Sequence, residues 1–250
     1  ELDTIPGREL VYSNDYGLIL LKNLDGNHHF STMNVLKTKS VFHTISDFNG
    51  DGHLDILARD TIQNPNNPVG VLGYKLIWLQ NDGQGDFSTV NVVTSEEYDF
   101  QTLGDVDLDG DLDVICKKPT LPTYLYLFEN TDGLGNFGAP QQLINIYPPD
   151  AIYLEDVNGD YYPDLIFNQG SPTDLVWYEN LHNNTFATSP QFILEGADYE
   201  DEFIALDFDF DGDIDVAYMN GNDDFLWYEN DGSGNFSSGN LIVADGWQPG

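Results

Sequence analysis

Residues 105–113 read Asp-Val-Asp-Leu-Asp-Gly-Asp-Leu-Asp. Five carboxylates, Asp105, Asp107, Asp109, Asp111 and Asp113, alternate along nine residues, with Gly110 at the sixth place. Like charges this close repel one another unless a cation sits among them. Hard oxygen donors at alternate places, with a glycine for the sharp turn, suit Ca²⁺. By analogy with known calcium loops, the first, third, fifth and ninth places give side-chain oxygens and the seventh its backbone carbonyl.

The pattern recurs. Residues 47–55 read DFNGDGHLD, residues 156–164 DVNGDYYPD and residues 207–215 DFDFDGDID. All four loops carry Asp at the first place, Asn or Asp at the third, and Asp at the fifth and ninth. One acidic turn is common on any surface, whereas four in register predict metal sites. The third loop departs most, with Tyr161 in place of the glycine and Pro163 at the eighth place, so its turn geometry is expected to be the least regular. None is an EF-hand, because the twelfth place holds Ala58, Cys116, Phe167 or Tyr218 rather than a bidentate Glu, and the flanks read as strands.

The elements that must position these loops are marked by a second repeated phrase. It reads LILLKNLDGNHHF at 18–30, LIWLQNDGQGDF at 76–87, LYLFENTDGLGNF at 125–137, LVWYENLHNNTF at 175–186 and FLWYENDGSGNF at 225–236. Each is an apolar-aromatic strand, an Asn, a Gly/Asn/Asp turn and a Phe, which is a hairpin signature. The asparagines fall at 23, 81, 130, 180 and 230. A period near 50 residues with several short strands and no helical pattern predicts an all-β propeller or related array. The predicted unit runs strand one (41–46, 100–103, 151–154, 203–206), acidic loop, strand two (54–58, 112–116, 165–167, 214–218), the aromatic strand three, and strand four (91–93, 142–144, 191–194, 240–243). Residues 8–13 match strand two, so strands two to four have five copies and strand one four clear ones; either the first unit is incomplete or the chain ends close the ring together. Counting back from Glu9 at the ninth place puts Glu1, Asp3, Ile5 and Gly7 at alternate places, a set too poor in oxygens for a metal. The expectation is a single domain over residues 1–250, a propeller of about five four-stranded blades with calcium loops between the first two strands of a blade. Residues 59–74, rich in Pro, Gly and Asn, are expected to form an exposed loop.

Composition narrows the function. Lys and Arg number 8 against 43 Asp and Glu, a formal net charge of −35. Nucleic acid is therefore excluded as a partner, since binding it needs a basic footprint. An anionic membrane surface is excluded likewise. The longest aliphatic run, 18–21, is too short to cross a bilayer, so no membrane insertion is expected. Apolar residues at 40% and aromatics at 13% argue for a folded chain despite the charge. No signal peptide is visible at Glu1, which reads as a mature chain or excised domain. Cys116 stands alone in a strand-like run and is expected to be buried and inert. Calcium at millimolar levels is found outside cells, so the loops favour a secreted or cell-surface protein.

The acidic loops and the WYEN-DGxGxF phrase around Trp177 and Trp227 resemble the FG-GAP or VCBS repeat family, which includes the integrin α head, fungal propeller lectins and many secreted bacterial surface proteins. The resemblance spans nearly the whole chain. It implies about four structural Ca²⁺ ions. The first would be held by Asp47, Asn49, Asp51, His53 (backbone) and Asp55, the second by Asp105, Asp107, Asp109, Asp111 (backbone) and Asp113. The third would use Asp156, Asn158, Asp160, Tyr162 (backbone) and Asp164, and the fourth Asp207, Asp209, Asp211, Asp213 (backbone) and Asp215. It also implies a lectin-like or adhesive module whose partner is a carbohydrate or a cell-surface protein.

Catalysis is not expected. The acids are accounted for as ligands, and no neighbouring base or nucleophile stands out. His28, His29 and His182 fall in hairpin turns, and His43 in a first strand. Every Lys and Arg lies at or before Lys118, which leaves little to neutralise a uronate in a lyase. Trp78, Trp177 and Trp227 recur at one strand position and are expected between blades, while exposed copies would offer sugar-stacking platforms. Trp247 lies outside the repeat. The alternatives are a spacer domain of a larger secreted protein and a polysaccharide-active enzyme domain. Glycan binding without turnover favours the lectin-like reading over an enzyme, and no glycan binding favours the spacer.

Overall fold

The computed structural model describes residues 2, 8–27, 29–64, 67–146, 151–170, 173–197, 203–220 and 224–243. Glu1, Asp3, Ile5, Gly7, His28 and Trp247 lie outside the described residues. Every described element is a β-strand, and the strands form five antiparallel sheets, each a meander of consecutive strands.

The first sheet has three strands, β1 (Leu10–Asn14), β2 (Gly17–Leu21) and β3 (Asn34–Thr38). The other four have four each, in the order predicted. The second holds β4 (Val41–Ser46), β5 (Asp55–Asn64), β6 (Asn67–Gln80) and β7 (Thr89–Thr94). The third holds β8 (Asp99–Gly104), β9 (Asp113–Lys117), β10 (Thr123–Phe128) and β11 (Gln141–Ile146). The fourth holds β12 (Ile152–Glu155), β13 (Asp164–Gly170), β14 (Thr173–Tyr178) and β15 (Gln191–Ala197). The fifth holds β16 (Phe203–Leu206), β17 (Asp215–Met219), β18 (Phe225–Tyr228) and β19 (Asn240–Val243). Four-stranded meanders at this period have the size of propeller blades.

Burial follows strand position. Second strands bury both faces: Ile56 to Ala58, Val114 to Cys116, Leu165 to Phe167 and Val216 to Tyr218 are all inaccessible or nearly so. Sheets covered on both sides read as continuous apolar runs rather than alternating ones. The last strand of the fifth sheet, β19, is exposed throughout.

The residues divide into two compact units: 1–100 with 110–119 and 128–140, and 101–109 with 120–127 and 141–250. In the first, Leu18 and Leu20 pack in one cluster with Ile56, Ala58, Ile77 and Leu79. In the second, Ile166, Leu175 and Trp177 pack with Phe203, Ala205, Val216 and Tyr218. Each unit thus contains a face-to-face pair of sheets, which is how a sheet with two apolar faces is buried.

The stretch 59–74 corrects the sequence reading. It is not an irregular loop but an elongation of β5 and β6, with Asp60 opposite Lys75, Thr61 opposite Tyr74 and Ile62 opposite Gly73. The pairing continues as far as Asn64 opposite Asn67. Cys116 is buried, as expected, and burial raises its thiol pKa.

Candidate metal centres

Each acidic loop joins the first and second strands of its sheet, as predicted. Its backbone is bent by side-chain oxygens that accept backbone N–H groups. In the first loop Asp47 Oδ1 accepts from Asp51 N at 3.2 Å and its Oδ2 from Gly52 N at 2.8 Å. Asn49 Oδ1 accepts from Asp51 N, and Asp51 Oδ1 from His53 N. In the third, Asp156 accepts from Gly159, Asp160 and Tyr161, Asn158 from Asp160, and Asp160 from Tyr162. In the fourth, Asp207 accepts from Gly212, Asp209 from Asp211, and Asp211 from Asp213. In the second, Asp105 and Asp107 both accept from Asp109 N. Side-chain carbonyls and carboxylates that bond the backbone two residues on form Asx turns, which gather alternate side chains on one side of the loop.

In the second and fourth loops three carboxylates converge. One oxygen each from Asp105, Asp107 and Asp109 lie within 4.8 Å of one another, and so do those of Asp207, Asp209 and Asp215. Some desolvation, then the neighbouring acids Asp211 and Asp215, hold Asp209 and Asp213 above the ordinary carboxylate range. A divalent cation reverses that repulsion. The donors of these two clusters are all carboxylate oxygens and fit Ca²⁺ rather than zinc.

Seventh-place side chains turn away from the loop centre, which leaves only their backbone carbonyls as ligand candidates. His53 lies against Gly83, Asp111 against Gly133 and Asp213 against Gly232. In the third loop Tyr162 stacks on His182 with ring centroids 3.9 Å apart, and His182 Nε2 lies 2.9 Å from Asp160 Oδ2. Burial raises Asp160, but this His182 contact and the backbone bond from Tyr162 outweigh it and lower its pKa. The replacement of Gly110 by Tyr161 does not distort the turn. Tyr161 adopts a φ of 76°, close to Gly52 at 85°, and its ring is 82% exposed.

The ninth-place aspartates have a second role that the spacing did not reveal. Asp55, Asp113, Asp164 and Asp215 are almost wholly buried. Their Oδ1 atoms accept the backbone N–H of the hairpin asparagine of the same sheet: Asn81, Asn130, Asn180 and Asn230, all at 2.7–2.8 Å. The Oδ2 atoms of Asp55, Asp164 and Asp215 accept the second-place N–H groups of Phe48, Val157 and Phe208. Without a cation, burial lifts Asp55 to about 6 and Asp164 to about 7, against the pull of those N–H bonds. The first unit keeps this latch too, with Leu2 N donating to Glu9 Oε2 at 2.8 Å.

The asparagine side chains extend the latch to the preceding repeat. Nδ2 of Asn130 donates to Phe48 O, Asn180 to Val106 O, Asn230 to Val157 O and Asn81 to Leu2 O, at 2.8–3.0 Å. These are second-place carbonyls one repeat earlier. Trp78 and Trp177, 2% and 1% exposed, are core and not platforms. Their indoles lie against Gly135 and Gly234 of the following repeat, where any Cβ would collide, and Trp78 Nε1 donates to Gly135 O at 3.2 Å. Trp227 is half-buried. His43, on β4, lies 5.2 Å from the Phe100 ring, and its Nε2 is buried without a hydrogen-bond partner. Burial, then the Arg59 charge, pushes its pKa down to about 4.

The profile of FG-GAP-like repeats matches residues 47–116 and 156–218, together more than half of the 250 residues and all four acidic loops. The chain belongs to the FG-GAP-like repeat family. No curated protein sequence matches it significantly. Two solved structures are similar to this repeat protein at low identity. An Agrocybe aegerita lectin that recognises non-reducing terminal N-acetylglucosamine is 16% identical, with a TM-score of 0.46 over 97% of this chain and 81% of that one. The Photorhabdus luminescens Tc holotoxin pore is 16% identical, with a TM-score of 0.49 over 98% of this chain and 12% of that one.

Proposed function

We propose that this FG-GAP-like repeat chain is a non-catalytic, calcium-binding, extracellular propeller module that binds carbohydrate or a cell-surface protein. The observation that carries the reading is the convergence of Asp105, Asp107 and Asp109, and of Asp207, Asp209 and Asp215, on loops whose backbone is already shaped. Bound Ca²⁺ supplies the positive charge that lets these carboxylates stay ionised side by side. The residues themselves do the rest. First-, third- and fifth-place oxygens fix the turn, the seventh place offers its carbonyl, and the ninth place ties the loop to the hairpin. All of these carboxylates have positioning roles, so none is left to act as a proton donor or nucleophile toward a substrate. Metal sites filled at millimolar Ca²⁺ suit an extracellular setting, and a buried single thiol is compatible with it.

The test is a glycan array probed in millimolar Ca²⁺ and again in chelator. Calcium-dependent binding without turnover supports the module. A blank array from a protein that still melts cooperatively in Ca²⁺ overturns the carbohydrate half and favours a protein-binding or spacer role. Turnover of a bound glycan overturns the non-catalytic assignment.

A further inference from the structure

The basic residues of this acidic chain are not scattered. Lys37, on β3, Lys39, in the β3–β4 turn, and Lys75, on the elongated β6, line one cavity of about 710 Å³ in the first unit. Three of the chain's 8 Lys and Arg residues therefore meet at one place. Asp60, on the elongated β5, is 6% exposed and fully engaged. Its Oδ1 accepts the Ser40 hydroxyl at 3.0 Å and the Thr61 N–H at 2.9 Å. Its Oδ2 lies 3.3 Å from Lys37 Nζ and 3.5 Å from Lys75 Nζ. Lys39, held at a φ of 59°, donates instead to Gln63 Oε1 at 3.2 Å.

Elsewhere, cations and acids pair one to one: Arg59 with Asp99, Lys118 with Glu96. Here one carboxylate is shared by two ammonium groups, and a third, that of Lys39, lines the same cavity. Each ammonium has three donors, and Lys37 and Lys75 share Asp60 as their ion-pair partner. A surplus of positive charge and several N–H donors are left for the cavity. An ion-pair cluster that served only to tie β3 to the hairpin would need a single lysine. The two elements that build the cavity, β5 and β6, are elongated in this repeat alone among the described residues.

We propose that this cavity binds an oxyanion, a sulfate or carboxylate group, and, resting on the glycan reading above, that the group is carried by an acidic or sulfated saccharide. Asp60 is the positioning residue: it holds Lys37 and Lys75 side by side, and Lys39 closes the third side. The site overcomes the repulsion that a chain of formal charge −35 exerts on an anion by concentrating cations locally. It also gives a place for the uronate or sulfate that a count of basic residues alone argues against.

The experiment is calorimetric titration of the full chain in millimolar Ca²⁺ with four probes: inorganic sulfate, a sulfated N-acetylglucosamine, glucuronic acid and neutral N-acetylglucosamine. The sulfated sugar or glucuronic acid is expected to bind at least tenfold more tightly than the neutral sugar. Lys37→Gln with Lys75→Gln should weaken it about tenfold or more, as expected for loss of charge-assisted bonds. Lys39→Gln should weaken it several-fold, and Lys118→Gln should leave it unchanged. Lys39 is exposed and bonds only Gln63 here, so its removal tests the site even where the double variant fails to fold. Asp60→Asn should weaken binding of the acidic sugar several-fold, because Lys37 and Lys75 lose the carboxylate that holds them side by side, and should leave binding of neutral N-acetylglucosamine unchanged, a split that a purely structural ion pair would not give. Equal binding of neutral and acidic sugars overturns the proposal and leaves the glycan reading standing. Sulfate binding that Lys39→Gln weakens, with no sugar bound, supports the oxyanion site and overturns the saccharide. No anion binding, or binding that all the lysine variants leave intact, overturns the site.

Discussion

The loops at 156–164 and 207–215 have nearly the same backbone and very different side chains. The fourth loop carries Asp at the first, third, fifth, seventh and ninth places, the third only at the first, fifth and ninth. Both bury the ninth-place Asp against the same two backbone donors. The third adds the stacked pair Tyr162–His182, with His182 against Asp160, where the fourth has Asp213 lying over Gly232. Loop shape therefore follows from the latch, and the pull on a cation follows from the charge count. The His182 contact in the third loop lowers the pKa of Asp160.

The largest effect should come from breaking the latch. Asp164→Ala or Asp215→Ala leaves two buried N–H groups without acceptors, each costing about 1–3 kcal/mol, so urea denaturation should show a loss of roughly 2–6 kcal/mol for either. Similar losses in the two loops, measured in chelator, would establish that the latch acts without metal. A large loss in one alone would break the comparison. Removing calcium from the unaltered protein should come next, lowering Tm by roughly ten degrees or more as several sites empty together. An unchanged melt in chelator would sink the metal reading for both loops.

Charge can then be moved from one loop to the other. Asn158→Asp gives the third loop a third-place carboxylate, and Ca²⁺ affinity there should rise about tenfold in a titration, while Asp209→Asn should lower affinity in the fourth by a comparable factor. A pH scan has to be corrected for His43, whose folded pKa of about 4 lies below its unfolded value near 6.5. The folded state refuses a proton that the unfolded state accepts, so His43 should cost stability as pH falls from 6.5 to 4, by about 1–2 kcal/mol after allowance for partial exposure. His43→Gln should flatten that slope. The smallest effect is Tyr161→Gly, which relieves a left-handed residue and should stabilise the third loop by ~0.5–1 kcal/mol, with no counterpart available at Gly212.

Much of this was legible in the sequence. The acidic loops fall between first and second strands, and the strand starts at Val41, Phe203 and Asn240 agree with the periodic pattern. The latch was not legible, because it joins atoms far apart in sequence and uses a carboxylate that already had an explanation as a ligand. The left-handed fourth-place residues Leu108 and Phe210, at φ 61° and 65°, carry no turn signature at all. The elongated hairpin was hidden by Pro, Gly and Asn, which mark loops in general, although Gly73 and Asn67 here pair within the ladder. One signal was present and unread. Trp78 and Trp177 are each followed one repeat later by Gly135 and Gly234, while Leu127 at the same strand position is followed by Asn184, which does carry a Cβ. Large-to-glycine pairing at a fixed offset marks a close approach, and its exception marks the relaxed case.

The asparagine that reaches back to the preceding repeat gives the row of repeats a direction. Each repeat carries both a socket, its second-place carbonyl, and a key, its hairpin amide, and all of the keys point toward the N-terminus. Parts that fit this way are interchangeable. A duplicated repeat arrives with its own key and socket, so gene duplication can lengthen the row without redesign of either neighbour. The first repeat keeps this coupling too, through Leu2, Glu9 and Asn81.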